Sequence, residues 1–543
     1  DILFFQNKLE IKKEGKFFIR AYATNEDAGN SYDAYSTAIL LQNAAKADGV
    51  WGADYNSMMQ STLGAYLNDV WYPGNSNGKG IQFDTINPPT NRLPAIENHW
   101  QTVLFDSLVY FHNLARNQAN NVPSANNTGV ARFEPGTARF DSAFQSIISR
   151  TNREGGSRFF DRSALYHVAG EYQFSLFDID VKTGGSFRLY APYSRGTIFL
   201  DTGDVRIYNR EAGAYLGLER KLFSDKLKVS WTNRVDKNQN FNTLWSTAAT
   251  GVYTYKKHVW RASVSSAIRN PTLTDQYINL NVGRATLLGN LNGFDSVVTI
   301  SSLLDAFSKG RTQLSYFNVD PIKPEQVRTF ELGWRGSLFK DKLYVDVNYY
   351  FSWYTNFIGY KIGARPNWPE GSNVPTRNPE VFRVATNSKD EVTTQGFTGG
   401  INYFYKKYLG FAANYSWNVL DRQGSTDPLI PAFNTPEHKY NIGLNGRDFD
   451  INFGAFRSKW WGYGINYKYQ TGFMFEGSPQ FTGEVPAYYM LDVQINKRIP
   501  GWYCTFKLGS NNITDNRVIQ VYGGPQVGRL AYFSVLFELD GNR

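Results

Sequence analysis

The sequence predicts an all-β protein, a large antiparallel transmembrane β-barrel of about seventeen strands with a partly helical insertion. Three observations predict it. The first is the ribbon KLYVDVNYYFSWYTNF at 342–357. Its odd positions Leu343, Val345, Val347, Tyr349, Phe351 and Trp353 form an unbroken apolar row, and its even positions can all hydrogen-bond. Period two is the signature of a strand with different faces. Ordinary strands run about five or six residues, whereas a tilted membrane strand needs about ten.

The second observation is compositional. The 543 residues are 16% aromatic, with 35 Tyr, 39 Phe and 13 Trp, yet no apolar run approaches the length of a membrane helix. Mean hydropathy is −0.43, so the apolar residues are dispersed. In lipid every backbone polar group must be paired internally, which leaves helices or closed barrels. The third is an asymmetry of connections. Tight turns alternate with long loops at 270–325, 361–380, 421–437 and 471–485. Outer-membrane barrels show the same alternation, with turns inside and loops outside.

The strands follow in order from alternation bounded by turn residues. They are expected near 2–12 and 15–24, then 163–175, 177–190, 205–222, 226–236, 240–255 and 257–269. Further strands are expected near 326–338, 342–360, 381–404, 407–420, 438–450, 459–470, 486–497, 500–515 and 527–539. GLERKLFSDKLKVS at 217–230 and GWRGSLFKDKLYVD at 333–346 align in register, which predicts two hairpins with tight Asp-Lys turns. Other short turns are expected at Lys406-Lys407 and at 498–501.

From Asp33 to about Arg153 the period shifts toward helical spacing, as in Trp100, Leu104, Leu108 and Phe111, and again in Phe140, Phe144, Ile147 and Ile148. The expected organisation is therefore barrel strands over 1–25, a partly helical extracellular cap over 26–160, and barrel strands with long extracellular loops over 161–543.

Residue chemistry excludes several functions. The lone Cys504 excludes an internal disulfide. The net charge of +9 is scattered without a basic stripe, so anionic headgroups explain it as well as nucleic acid does, and no nucleic-acid partner is expected. His99, His112, His167, His258 and His438 fit no zinc-ligand spacing. GNSNG at 74–78 matches the nucleophile-elbow pattern but lies in an Asn/Gly-rich stretch lacking the strand and helix an elbow requires. NEDAGNSYD at 25–33 carries carboxylates without calcium-loop spacing. No catalytic residue, metal ligand or cofactor is assigned. The ligand candidates are mouth-loop residues of types that stack on sugars or clamp acidic groups, namely Trp71, Tyr72, Tyr277, Arg365 and Trp368. Aromatic girdles use the same residue types.

AIRNPTLTDQY at 267–277 and KPEQVRTFELGWRGSLFKDKLYVDVNYYFSWYTNFI at 323–358 resemble the barrel of TonB-dependent outer-membrane transporters. So do KLKVSWTNRVDKNQNF at 226–241, SNNITDN at 510–516 and GRLAYFSV at 528–535. FFIRAYATNEDAGNSYD at 17–33 and GSRFFDRSALYHVAGEYQF at 156–174 resemble the SusC-like subgroup common in Bacteroidota. The resemblance implies a barrel of about 22 strands around a plug, in the outer membrane of a Gram-negative bacterium and in contact with lipid and lipopolysaccharide. It implies active import of a large scarce solute (an oligosaccharide, peptide or metal chelate) energised by the TonB complex, without covalent chemistry. A surface lipoprotein lid is a further implied partner. No plug or TonB box is recognised in the sequence, so the chain is expected to be the C-terminal barrel portion, completed by a plug and early strands. Phe537 is the expected insertion signal, although ELDGNR follows it. The competing readings are a structural barrel subunit of a larger outer-membrane complex and a passive porin.

Overall fold

The structure is a computed structural model. It describes residues 2–71, 101–102, 105–124, 128–203, 205–283, 285–406, 408–422, 427, 429–431, 433–454, 456–477 and 482–538. The chain divides into two compact units, one of residues 1–3 and 27–161, the other of 4–26 and 162–543. No helix among the described residues is long and apolar enough to cross a membrane.

The smaller unit is helical, with α1 (Ala34–Ala45), α2 (Asp48–Trp71), α3 (Phe105–Asn121) and α4 (Ala138–Ser149). Local chemistry sets its starts. Asp33 caps α1 by accepting from the Ser36 amide at 2.8 Å, and Thr137 caps α4 by accepting from the Phe140 amide at 3.2 Å. Phe140 and Phe144, one turn apart, stack at 5.7 Å, and Ile147 is buried on the same helix. Trp100 and Leu104 lie outside the described residues, while Leu108 and Phe111 fall on α3.

The larger unit is dominated by a sheet of seventeen strands. The chain enters through β1 (Leu3–Lys13), β2 (Phe17–Asp27), β3 (Ala164–Leu176) and β4 (Ile179–Ala191). It continues through β5 (Asn209–Leu222), β6 (Leu227–Asn238), β7 (Leu244–Tyr255) and β8 (His258–Arg269). A long excursion follows, with α5 (Leu273–Tyr277), β9 (Asn279–Asn281), β10 (Thr286–Leu288), β11 (Phe294–Val298), α6 (Ile300–Lys309) and β12 (Tyr316–Val319). The wall resumes with β13 (Glu325–Leu338) and β14 (Leu343–Thr355), and is interrupted by β15 (Ile358–Arg365) and β16 (Glu380–Asn387). Next come β17 (Val392–Tyr405), β18 (Leu409–Asp421), the short β19 (Ile430–Pro431), β20 (His438–Phe453) and β21 (Phe456–Gln470). A small hairpin of β22 (Phe473–Glu476) and β23 (Thr482–Val485) precedes β24 (Tyr488–Ile499), β25 (Cys504–Asn511) and β26 (Leu530–Phe537).

Wall strands pair antiparallel with their neighbours along the chain. β8 pairs with β13, β14 with β17, and β18 with β20, each across a long loop. The register separates two faces. Asn348 stands opposite Gly333 and Thr398, while Val347 stands opposite Trp334 and Gly399. On the polar face Arg261 Nη2 donates to Asp346 at 2.9 Å and Tyr350 OH donates to Asn418 at 3.0 Å. On the other face Phe351 and Trp353 meet at 4.6 Å. The apolar row of KLYVDVNYYFSWYTNF therefore shares one face of the wall and its polar row the other, as its alternation predicts.

The two repeated hairpins turn where expected, with Asp225-Lys226 and Asp341-Lys342 in four-residue turns at 223–226 and 339–342. The first three residues of each turn, Phe223, Ser224 and Asp225 in one and Phe339, Lys340 and Asp341 in the other, are left-handed, and the lysine amide closes the turn onto the phenylalanine carbonyl. Ser337 Oγ donates to Asp341 at 2.6 Å, which holds the carboxylate over the turn.

Two expected strands are corrected. The strand predicted over 342–360 leaves the wall at Thr355, because Asn356 turns left-handed at φ 55° and Phe357 buries. The strand predicted over 381–404 is two, β16 and β17. The stretches predicted as loops at 270–325 and 361–380 contain strands of a second sheet, ordered β12-β11-β15-β16-β10-β9, with β19 on β15. Short strands within loops escape a search for membrane-length alternation. The buried apolar clusters lie largely in this loop layer. One is Phe241, Ile322, Ile358 and Ala385, a second is Val298, Leu303 and Ala364, and a third is Phe357, Val392 and Leu429. The wall instead turns its apolar side outward.

Candidate functional site in the loop layer

The loop layer is anchored by a buried polar network at the upper ends of β5, β6 and β8. The segment NPTLTDQY places Pro271 and Thr272 ahead of α5, and Thr272 and Asp275 close a capping box. Gln276, in that short helix, accepts from the amides of Asn209 at 3.0 Å and Asn240 at 2.8 Å. Asn238 donates to Asn209 at 2.8 Å and to Glu211 at 3.0 Å, and Asn270 donates to Glu211 at 3.0 Å. Asn209, Asn238 and Gln276 are buried. Buried amides are tolerated only when satisfied, and here each neutralises another.

Above this base, β15 and β16 run antiparallel with Tyr360 opposite Ala385 and Ile362 opposite Arg383. The Arg383 guanidinium stacks 3.7 Å from the centre of the Tyr360 ring. Burial pulls the Arg383 guanidinium below its ordinary range, with Tyr360, Glu476 and Asp275 opposing that shift. Burial pushes the Tyr360 phenol and the Glu476 carboxyl up. The Arg383 side chain forms no hydrogen bond or ion pair among the described residues beyond its stack on Tyr360.

On the opposite face of β15, Lys361 Nζ lies 2.8 Å from Asp427 Oδ1. Asp427 Oδ2 accepts from the Lys389 amide at 3.1 Å. Burial raises the Asp427 carboxyl, but Lys361, the Lys389 amide and Arg422 outweigh it and hold the group below its ordinary value. Lys361 and Asp427 form the floor of a recess of about 950 Å³, whose walls include Tyr316, Phe317, Asn318, Asp320 and Lys389. That volume matches small-molecule sites generally. Its mixture of cations, carboxylates and two aromatic rings suits a polar solute with several charged or hydroxyl groups.

The predicted ligand residues do not converge. Tyr277 ends α5, where its hydroxyl accepts from Asn240 at 2.5 Å, so it belongs to the anchoring network. Arg365 is exposed at the end of β15, pairs with Glu380 at 3.4 Å and lies over Phe382. Trp368 carries the Arg311 guanidinium at 4.2 Å. Trp71 ends α2, and Tyr72 lies outside the described residues. Tyr360, Lys361, Arg383 and Asp427 were not anticipated. The available signal was a lysine inside the otherwise apolar IGYKIGAR, a pattern that demands a buried partner. Among the described residues no group of three or more His, Cys, Asp or Glu side chains could hold a metal ion.

The family model described as "TonB dependent receptor-like, beta-barrel" matches residues 18–513. No curated protein matches the sequence. Among solved structures, a mutant of the ferric enterobactin receptor PfeA from Pseudomonas aeruginosa aligns with TM-score 0.51 at 10% identity, over 98% of this chain and 61% of its own. The apoprotein of the FrpB iron transporter from Neisseria meningitidis aligns with TM-score 0.50 at 12% identity, over 98% of this chain and 64% of its own. The siderophore receptor PirA from Acinetobacter baumannii aligns with TM-score 0.48 at 14% identity, over 70% of this chain and 56% of its own. This chain thus spans less than two thirds of the length of these structures. A seventeen-strand antiparallel wall with an aromatic row on one face and a match over residues 18–513 leave one assignment: the chain belongs to the TonB-dependent receptor family, whose members are outer-membrane β-barrels and not enzymes.

Proposed function

We propose that the chain is the wall and loop layer of an active importer for a large, scarce solute (an oligosaccharide, a peptide or a metal chelate). The observation that carries this reading is the family match over 18–513, joined to a loop layer built as a second sheet around a charged recess of about 950 Å³. The long loops face the cell exterior, and residues 26–160 form an extracellular cap. The TonB complex supplies the energy through a plug that, with early strands, completes the barrel, and a surface lipoprotein lid closes over bound solute. The SusC-like subgroup of Bacteroidota is the proposed affiliation. The recognised solved structures are named for iron and siderophores; at 10–14% identity they speak for the fold.

Uptake in the native host tests this. Cells with and without the intact gene are offered labelled oligosaccharides, peptides and ferric chelates, with and without a protonophore. The reading predicts one class whose uptake needs both the gene and the proton gradient. Gene-dependent uptake that the protonophore leaves unchanged would point to a passive pore. Normal uptake of every class without the gene would favour the structural-subunit reading.

A further inference from the structure

We propose that the helical unit carries a ligand site of its own, an apolar cavity that takes a small anionic amphiphile, with an apolar body ending in a carboxylate or phosphate. The cavity, about 990 Å³, lies where α1, α2, α3 and residues 132–140 meet. Leu41, Trp51, Phe133 and Phe140 give it apolar walls, and Ala38 and Gly52 leave it open. A void of this size between helices ordinarily collapses unless something fixes its walls or fills it.

The walls are fixed by Lys46. This residue follows α1 and is 4% exposed. Its ammonium lies 2.7 Å from Asp54 Oδ2 and donates to the carbonyls of Ala119 at 2.7 Å and Val122 at 2.9 Å. One buried cation thus ties the end of α1 to α2 and to the end of α3. Gly129 has no side chain because a Cβ there would stand 2.8 Å from Lys46 Cγ. Trp51 is clamped as well. Its indole donates to Asn120 at 2.9 Å and its ring stacks on Tyr55 at 5.3 Å.

The charges lining the cavity favour an anion. Lys46 is neutralised by Asp54, while Asp48, which accepts from the uncharged Gln42 amide, keeps its one negative charge against two arginines. Arg132 has only a loose pair with Glu134 at 3.8 Å, both side chains being 56% exposed. Arg116 has no hydrogen bond, ion pair or ring partner among the described residues. The rim therefore offers two guanidinium groups, one wholly free, beside an apolar chamber. Guanidinium groups bind carboxylate and phosphate through paired N–H donors. An uncharged apolar ligand would leave them unused, and a free inorganic anion would leave the aromatic walls unused.

The test uses the full-length protein held in amphipol, titrated calorimetrically with decanoate, decyl phosphate and decanol. Expected is saturable binding of one decanoate or decyl phosphate per chain, with decanol about tenfold weaker or worse, since a charged hydrogen bond contributes about 1.5–3 kcal/mol. Preference between the two anions identifies the head group. The double variant Arg116→Gln, Arg132→Gln should weaken both anions about tenfold while leaving decanol unchanged, and Gly52→Trp should abolish all binding by filling the chamber. The arginine variants alter exposed side chains, so they remain informative if Gly52→Trp fails to fold. Absence of saturable anion binding overturns the proposal. So does decanol binding as tightly as decanoate, or affinity unmoved by the arginine substitutions.

Discussion

Lys361 and Asp427 form an ion pair at 2.8 Å with side chains 8% and 4% exposed, joining β15 to a loop more than sixty residues later in the chain. Removing one partner from such a pair strands a buried charge, at a cost of about 3–5 kcal/mol. Lys361→Met should therefore loosen β15 and β19, seen as faster amide exchange there, while the barrel wall keeps its protection. The double variant Lys361→Met, Asp427→Leu should recover most of the loss.

The same pair sets a pH dependence. The folded Asp427 carboxyl lies below its ordinary value, so its contribution is present above the unfolded pKa and is lost as pH falls through the folded one. Exchange protection of β15 and β19 should hold at neutral pH and decline only below the ordinary aspartate range. In the Lys361→Met, Asp427→Leu variant that acid limb should disappear.

The polar network beneath the loop layer gives a third expectation. Gln276→Leu deprives the buried Asn209 amide of its acceptor and leaves the Asn240 amide only the Tyr277 hydroxyl. Each unsatisfied buried donor costs about 1–3 kcal/mol. Limited proteolysis should then cut within 270–325 sooner than in the wild type, without loss of the wall.

Close packing in the loop sheet is tested by Gly363→Val. A Cβ at Gly363 would stand 2.1 Å from Val297 Cγ1 and 3.0 Å from the Phe317 ring. Overpacking of this kind costs about 1–3 kcal/mol. Thermal melting in detergent should show an earlier partial transition, and Val297→Ala should partly rescue it.

The wall was legible because lipid imposes one rule along its whole length. Every spanning strand must alternate, so Val347 and Asn348 declare their faces from spacing alone, and the seventeen expected strands correspond to the seventeen of the sheet. The loop layer obeys no such rule. Its strands run three to eight residues apart from the two-residue β19, and β10 pairs parallel with β16 across almost a hundred residues. Nothing local in TLL or FRV announces that partner. The ligand candidates follow from residue type alone; Arg365 is exposed at the end of β15 and Trp368 is half-buried beyond it. The convergent groups, however, are set by long-range contacts such as Lys361 with Asp427 and Tyr360 with Arg383.

Register on the wall can be checked by charge. Arginine on the lipid face of a mid-strand position costs about 2–4 kcal/mol, while a lumen position tolerates it. Val347→Arg should lower the yield of folded, heat-modifiable protein, and Asn348→Arg should not. Equal effects would mean the faces are misassigned.

The sidedness of the chain in the outer membrane is open to direct labelling. The native Cys504 is buried, so single cysteines can be introduced against a quiet background. Intact cells carrying Asn378→Cys in the loop layer or Lys340→Cys in the β13–β14 turn would be treated with a membrane-impermeant maleimide. Labelling at 378, with 340 reacting only after the outer membrane is opened, is the predicted result. Labelling at 340 in intact cells, with 378 protected, would contradict the outward-facing receptor described above.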